Sequence, residues 1–170
     1  MRNRESLVNE IYSYPGCWRK GAMELRQGQA EDQQAVETCV RAAYATYLVG
    51  MDREPAPLHA DYSALLASGV VYVLASGKKV LGVLVMMPQE ESLFIENVAV
   101  DPGAQGQGLG RALMAFAELH ARKAHLRDIR LYTNEAMTEN LHFYRQLGFE
   151  EEGRRAHDGY HRVFLRKVLG

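Results

Sequence analysis

The sequence predicts an α/β domain built on a mixed central sheet, and three observations carry that expectation. Short apolar, β-branched runs such as VVYVLAS, VLGVLVMMP, LFIENVAV and IRLYT alternate with segments of helical period. A glycine-rich stretch, VDPGAQGQGLGRALM over residues 100–114, lies directly between a strand and a helix. A chain of 170 residues with 47% hydrophobic content suits one domain with a substantial core.

The elements follow in order. Residues 1–20, MRNRESLVNEIYSYPGCWRK, keep neither period and end in a Pro-Gly turn signal. They read as an N-terminal extension, a mis-called start or an arm packed on a neighbour, with a loosely ordered tail as the plainer alternative and the domain proper over 21–170. MELRQGQAED then opens a strand over Met23–Arg26 and a helix entered around Glu31–Asp32. Val36, Cys39, Val40, Ala43 and Tyr47 recur at three and four, one helical face, with Gly50 placed to end it. Pro55 and Pro57 push their predecessors toward extended backbone and forbid continuation. DYSALLASG is a short helix with Asp61 as N-cap and Gly69 as stop.

Three strands come next, expected to be antiparallel. Gly77-Lys78-Lys79 links the first two as a hairpin, and the third ends at Asp101-Pro102. From about Gly108 a helix places Leu109, Leu113, Phe116 and His120 on one side. IRLYT is a strand, and Glu139–Leu147 is a helix that presents Asn140, Phe143, Tyr144 and Leu147 together and stops at Gly148. FEEEGR and YHRVFLRKVL close the chain around His157-Asp158-Gly159. The order β-α-α-β-β-β-α-β-α-β-β implies parallel crossovers through the later helices.

Composition excludes several classes. A formal charge of −1 supplies no basic field, so no nucleic-acid partner is expected. Cys17 and Cys39 lack metal or redox spacing, which suits a reducing compartment. No apolar run approaches the ~20 residues of a membrane span, so a soluble cytoplasmic protein is expected. The histidines, His120, His125, His142, His157 and His161 among them, show no paired metal-ligand spacing, and no metal site is expected.

The glycine turn is the most informative feature. The first N–H groups of a helix lack internal partners, and the macrodipole adds positive potential there. Glycines strip away Cβ atoms, so several N–H groups can touch a phosphate directly. A dinucleotide fingerprint requires G-x-G-x-x-G, but Arg111 and Leu113 stand where its third glycine would fall. A P-loop requires Gly-Lys-Ser/Thr, which the sequence lacks. Gln105-Gly106-Gln107-Gly108-Leu109-Gly110 instead fits Q/R-x-x-G-x-G/A.

That hexapeptide sits in IENVAVDPGAQGQGLGRALM, which with LYTNEAMTENLHFYRQLGFEEEG resembles the GCN5-related N-acetyltransferases (GNAT) in order and spacing. The resemblance covers roughly residues 22–168. It implies a mixed sheet of about six to seven strands with about four helices, splayed between its fourth and fifth strands to admit acetyl-CoA as cosubstrate. It further implies that main-chain groups along Val98, Ala99 and Val100 pair with the pantetheine arm. The pyrophosphate would lie on Gln105, Gly106, Gln107, Gly108, Leu109, Gly110 and Arg111.

The resemblance also assigns roles in acetyl transfer to a primary amine. Val98 N–H would be the oxyanion donor, and Tyr144 in FYRQLGF the acid for the departing thiolate. Proton transfer from a tyrosine to a thiolate is uphill by about 2 kcal/mol, a small deficit for a group that also stabilises by hydrogen bonding. Glu96 interrupts an apolar strand and is the candidate base, directly or through water; burial would raise its pKa toward neutrality. A hydrogen-bonded structural carboxylate is the alternative for Glu96. Many relatives carry an asparagine seven residues before the tyrosine, where Met137 stands here. Asn140, four before it, shares the face of Tyr144 and either binds pantetheine or caps its helix. Tyr44, Tyr47, Asp61 and Tyr62 fall where relatives build the acceptor pocket, with His157–Tyr160 on its rim. The expected partner is a small-molecule or peptide amine, and a homodimer through late strands fits the family. A non-catalytic acyl-CoA-binding module of the same fold remains the alternative function.

Overall fold

In a computed structural model, residues 18–170 are described, and they form eight strands and four α-helices. The strands are β1 (Trp18–Lys20), β2 (Met23–Gln27), β3 (Val71–Ser76), β4 (Lys79–Gln89), β5 (Ser92–Val100), β6 (Asp128–Asn134), β7 (Glu150–His157) and β8 (Tyr160–Val168). The helices are α1 (Gln33–Tyr44), α2 (Tyr62–Ala67), α3 (Leu109–Lys123) and α4 (Thr138–Gln146). Hydrogen bonding gives the strand order β1-β2-β3-β4-β5-β6-β8-β7. The expected mixed sheet and four helices are therefore present, with β1 added at one edge. Residues 1–17 of the expected extension, Cys17 included, lie outside the described residues, while Trp18–Lys20 pair antiparallel with Met23–Leu25.

The chain divides into two compact units, and β4 and β5 each contribute to both. The first comprises residues 18–85 and 97–117. Here β2 and β3 pair antiparallel, and β3 turns into β4 across the two-residue link Gly77-Lys78. Its core includes Leu25, Val36, Val40, Val73, Leu74, Val83 and Leu113. Buried Cys39 joins them, and loss of solvent, reinforced by the Asp101 charge, pushes its thiol up to about 12. Arg26, at the end of β2, holds Asp32 through two guanidinium bonds of 2.7 and 2.9 Å, which brings β2 onto the entrance of α1. Helix α1 stops at Tyr44, and Ala45–Tyr47 tightens to a 3-10 turn. Tyr47 is thus not on the α-helical face, and Gly50, at φ +92°, turns the chain beyond that extra turn instead of capping the helix. Asp61 caps α2 as expected, its carboxylate accepting from Ala64 N–H at 3.0 Å.

The second unit comprises residues 86–96 and 118–170. The parallel ladder between β5 and β6 joins Ser92–Ile95 to Asp128–Leu131 and ends there, although β5 runs on to Val100 and β6 to Asn134. This is the strand pair at which the sequence predicts the splay. The crossover through α4 does not deliver β7 beside β6. Strand β8 lies between them, antiparallel to both, because Asp158 and Gly159 (φ +52° and +80°) fold β7 and β8 into a tight hairpin. Leu93, Ile95, Ile129, Leu131, Val163 and Leu165 are buried. Asp128, buried beneath Arg130 and Arg166, accepts from them at 3.1 and 2.9 Å.

Candidate active site

In the first unit, β5 ends in a turn built to leave donors unused. Asp101 anchors it: its N–H donates to Leu81 O at 2.8 Å, and its carboxylate accepts from Gly103 N–H at 2.9 Å. Pro102–Ala104 forms one 3-10 turn, and Gly106 and Gly108 then adopt φ of +80° and +78°. A side chain is disfavoured there by backbone strain alone. A Cβ on either glycine would meet no protein atom within 4 Å, so the space above the turn is open. Among the described residues, the N–H groups of Gly106, Gln107, Gly108, Leu109 and Gly110 have no acceptor. The turn thus requires positive φ at Gly106 and Gly108, and open space lies where their Cβ atoms would stand. The residues of the turn fit a diphosphate, since unused N–H groups at a helix start are an anion site.

Along β5 alternate residues divide cleanly. Leu93, Ile95, Asn97 and Ala99 are buried, whereas Phe94, Glu96, Val98 and Val100 share the half-exposed face. Asn97, 4% exposed, is bonded at both ends of its amide. Its Oδ1 accepts from the Tyr44 hydroxyl at 2.8 Å, and its Nδ2 donates to the Tyr62 hydroxyl at 3.2 Å. The Tyr62 hydroxyl donates in turn to Pro57 O at 2.7 Å. Two of the tyrosines expected in an acceptor pocket are therefore tied to the strand segment that carries Val98. The sequence reading gave Asn97 no role of its own. The signal was present: an asparagine replaces the apolar residue that the Leu93, Ile95, Ala99 alternation requires.

Glu96, half-buried in the second unit, has its carboxyl raised above the ordinary range by loss of solvent. That is the direction a general base near neutral pH needs. In the same unit Tyr144 is buried on α4, and its carbonyl accepts from Leu147 and Phe149 N–H at 3.0 and 3.1 Å. Gly148 (φ +92°) makes this closure, and the Phe149 ring meets Tyr144 edge-on at 5.7 Å. The helix end thus fixes the tyrosine. Asn140 does not cap its helix: its amide donates to Met137 Sδ at 3.4 Å. Near the end of α3, Arg122 pairs with Glu118 and reaches Gly170 O. Among the described residues, no three His, Cys, Asp or Glu side chains gather at a metal site. No helix among them is long and apolar enough to cross a membrane.

A glycine turn with unused amides and a helix begun at that turn define an α/β protein equipped to hold a phosphorylated ligand. The chain belongs to the GNAT family: the model described as "Acetyltransferase (GNAT) domain" matches residues 67–151, half of its length. A mycothiol acetyltransferase from Cellulomonas flavigena is 48% identical over 62 residues, 36% of this chain and 18% of that protein. The histone acetyltransferase TAP1 of Glycine max is 48% identical over 58 residues, 34% of this chain and 24% of that one. The chain thus spans less than a quarter of either relative's length. The PaiA N-acetyltransferase of Thermoplasma acidophilum, solved in complex with coenzyme A, superposes with a TM-score of 0.73. It covers 86% of this chain and 99% of its own at 14% identity, a likeness of fold.

Proposed function

We propose that the chain is an acetyl-CoA-dependent N-acetyltransferase acting on a primary amine, with residues 21–170 as its catalytic domain and a cytoplasmic location. The carrying observation is the turn whose amides at Gly106–Gly110 lack acceptors while its glycines hold positive φ under open space. Bound acetyl-CoA supplies the activated acetyl thioester. In this reading the N–H groups from Gly106 to Arg111 hold its pyrophosphate, Gln105 N–H being already donated to Pro102 O at 3.4 Å, and Val98, Ala99 and Val100 with Asn140 align its pantetheine arm. Glu96 takes the proton of the attacking amine. Val98 N–H donates to the carbonyl oxygen as that oxygen gains charge. The Tyr144 hydroxyl protonates the leaving sulfur.

Calorimetry with acetyl-CoA, followed by release of free CoA across a panel of amines, tests the proposal. Saturable binding with amine-dependent release is expected. Binding without release for any amine would leave only an acyl-CoA-binding module, and no binding would end the reading altogether.

A further inference from the structure

On one face of the second unit's sheet, Arg155 of β7 and Arg162 of β8 are direct cross-strand partners. Like charges so placed repel. Neighbouring arginines on these strands are matched with acids: Arg154 bonds Glu151 at 2.6 Å, and Arg166 bonds Asp128 at 2.7 Å. The opposed pair is not. Among the described residues Arg155 forms no ion pair, and Arg162 has only Asp158, 3.6 Å away and 73% exposed.

Aromatic rings hold both guanidiniums. Arg155 Cζ lies 3.6 Å from the Phe164 centroid and Arg162 Cζ 4.0 Å from that of Tyr132, and the two rings are 5.6 Å apart. The Arg162 side chain is only 5% exposed, and its Nη1 lies 2.6 Å from His157 Nδ1. A guanidinium has no acceptor, so that imidazole nitrogen must accept. Stacking covers the flat faces of the two cations and leaves N–H edges, the geometry that grips a carboxylate with two prongs. A buried cation without a buried counter-charge is costly unless an anion completes it.

Glu96 belongs to the same face. Phe94, two residues before it on β5, stacks on Tyr132 at 5.4 Å, and strand alternation places Glu96 on that side. Where the ladders hold, β6 separates β5 from β8 by two strand spacings, about 10 Å; Glu96 and Asn134, the partner of Arg162, lie beyond the last β5–β6 pair, so the two side chains start at least that far apart.

We propose that Arg155 and Arg162 form an anion-recognition site for a carboxylate of the acceptor. The acceptor is then an amine that carries a carboxylate well separated from its amino group. This inference rests on the acetyl-transfer reading of Glu96, and its test separates the two.

The experiment compares 4-(aminomethyl)benzoate with benzylamine as acceptors, which differ by the distal carboxylate. With the full chain and acetyl-CoA, kcat/KM is expected to be at least tenfold higher for the carboxylate, through KM. Arg155→Gln, at an exposed position, and Arg162→Gln should bring the ratio close to one. Arg154→Gln, which removes an exposed charge from the same strand, should keep it. Equal use of both acceptors by the unaltered chain would overturn the inference and leave acetyl transfer standing. If neither amine is acetylated, titration with 4-methylbenzoate decides. Saturable binding that Arg155→Gln weakens tenfold or more upholds the anion site while the acetyl-transfer reading falls; no binding overturns the site itself.

Discussion

The hydroxyl of Tyr44, the last residue of α1, donates to Oδ1 of Asn97, the buried residue between Glu96 and Val98, at 2.8 Å. Asn97→Leu should cost about 1–3 kcal/mol, because it takes an acceptor from the Tyr44 hydroxyl and a donor from that of Tyr62, which keeps its bond to Pro57 O. Tyr44→Phe should cost less, since Asn97 keeps its bond to Tyr62. Urea unfolding measures both, and equal stability of Asn97→Leu and the unaltered chain would remove the network from the account.

At the glycine turn, Gly108→Ala introduces a side chain at φ +78°. The backbone strain should cost about 1–2 kcal/mol. The new methyl group also points into the open space assigned to the pyrophosphate. The protection that acetyl-CoA gives against thermal unfolding should therefore shrink by more than the change in stability of the free chain. Unaltered protection would move the diphosphate elsewhere.

Tyr144→Phe removes the proposed acid and nothing from the Phe149 contact. Turnover should fall at least tenfold, with acetyl-CoA affinity little changed. A steady-state assay paired with calorimetry checks both halves, and full turnover would exclude the hydroxyl from the reaction.

Glu96 carries a carboxyl raised by loss of solvent. As a base it should give a rate that falls with decreasing pH through a pKa above the ordinary carboxylate range, and Glu96→Gln should abolish that limb. The stability effect has the opposite sign. Between the unfolded and the raised folded pKa the native state binds more proton, so stability declines as pH rises through that window. Glu96→Gln should accordingly be no less stable than the unaltered chain at pH 7. A pH–rate profile unchanged by the substitution would reject the base.

Asp128 behaves oppositely. Burial pushes its carboxyl up, but hydrogen bonds from Ser92, Arg130 and Arg166 outweigh that and hold it below the usual range. Its contribution is present above the unfolded pKa and lost as pH falls through the lowered folded value. Asp128→Asn should cost about 1–3 kcal/mol at pH 7, less than a fully buried pair because both arginines are partly exposed. Denaturant midpoints at pH 7 and pH 3 should converge between the two proteins; a constant gap would dismiss the linkage.

The parts legible in the sequence are those that backbone chemistry dictates locally. Gly106, Gly108 and Gly148 announce positive φ, Asp61 announces a cap, and Val36, Cys39 and Val40 announce a buried face. The end of α1 is not legible in the sequence because a 3-10 turn continues nearly the same spacing for three residues. Asn140 was ambiguous because its actual partner, a methionine sulfur, is a weak acceptor that no capping rule anticipates. The Tyr44–Asn97–Tyr62 chain joins residues 53 and 35 positions apart, beyond any local period. The opposition of Arg155 and Arg162 was within reach: counting back from the Asp158-Gly159 turn pairs them.

Cys39, sealed in the first unit with its thiol held near 12, offers a built-in clock. At neutral pH an alkylating reagent can reach it only when that unit opens, so the rate at which its peptide gains mass reports the free energy of opening. A ligand gripped by the same unit should slow that clock in proportion to its saturation, whether or not any acceptor is known.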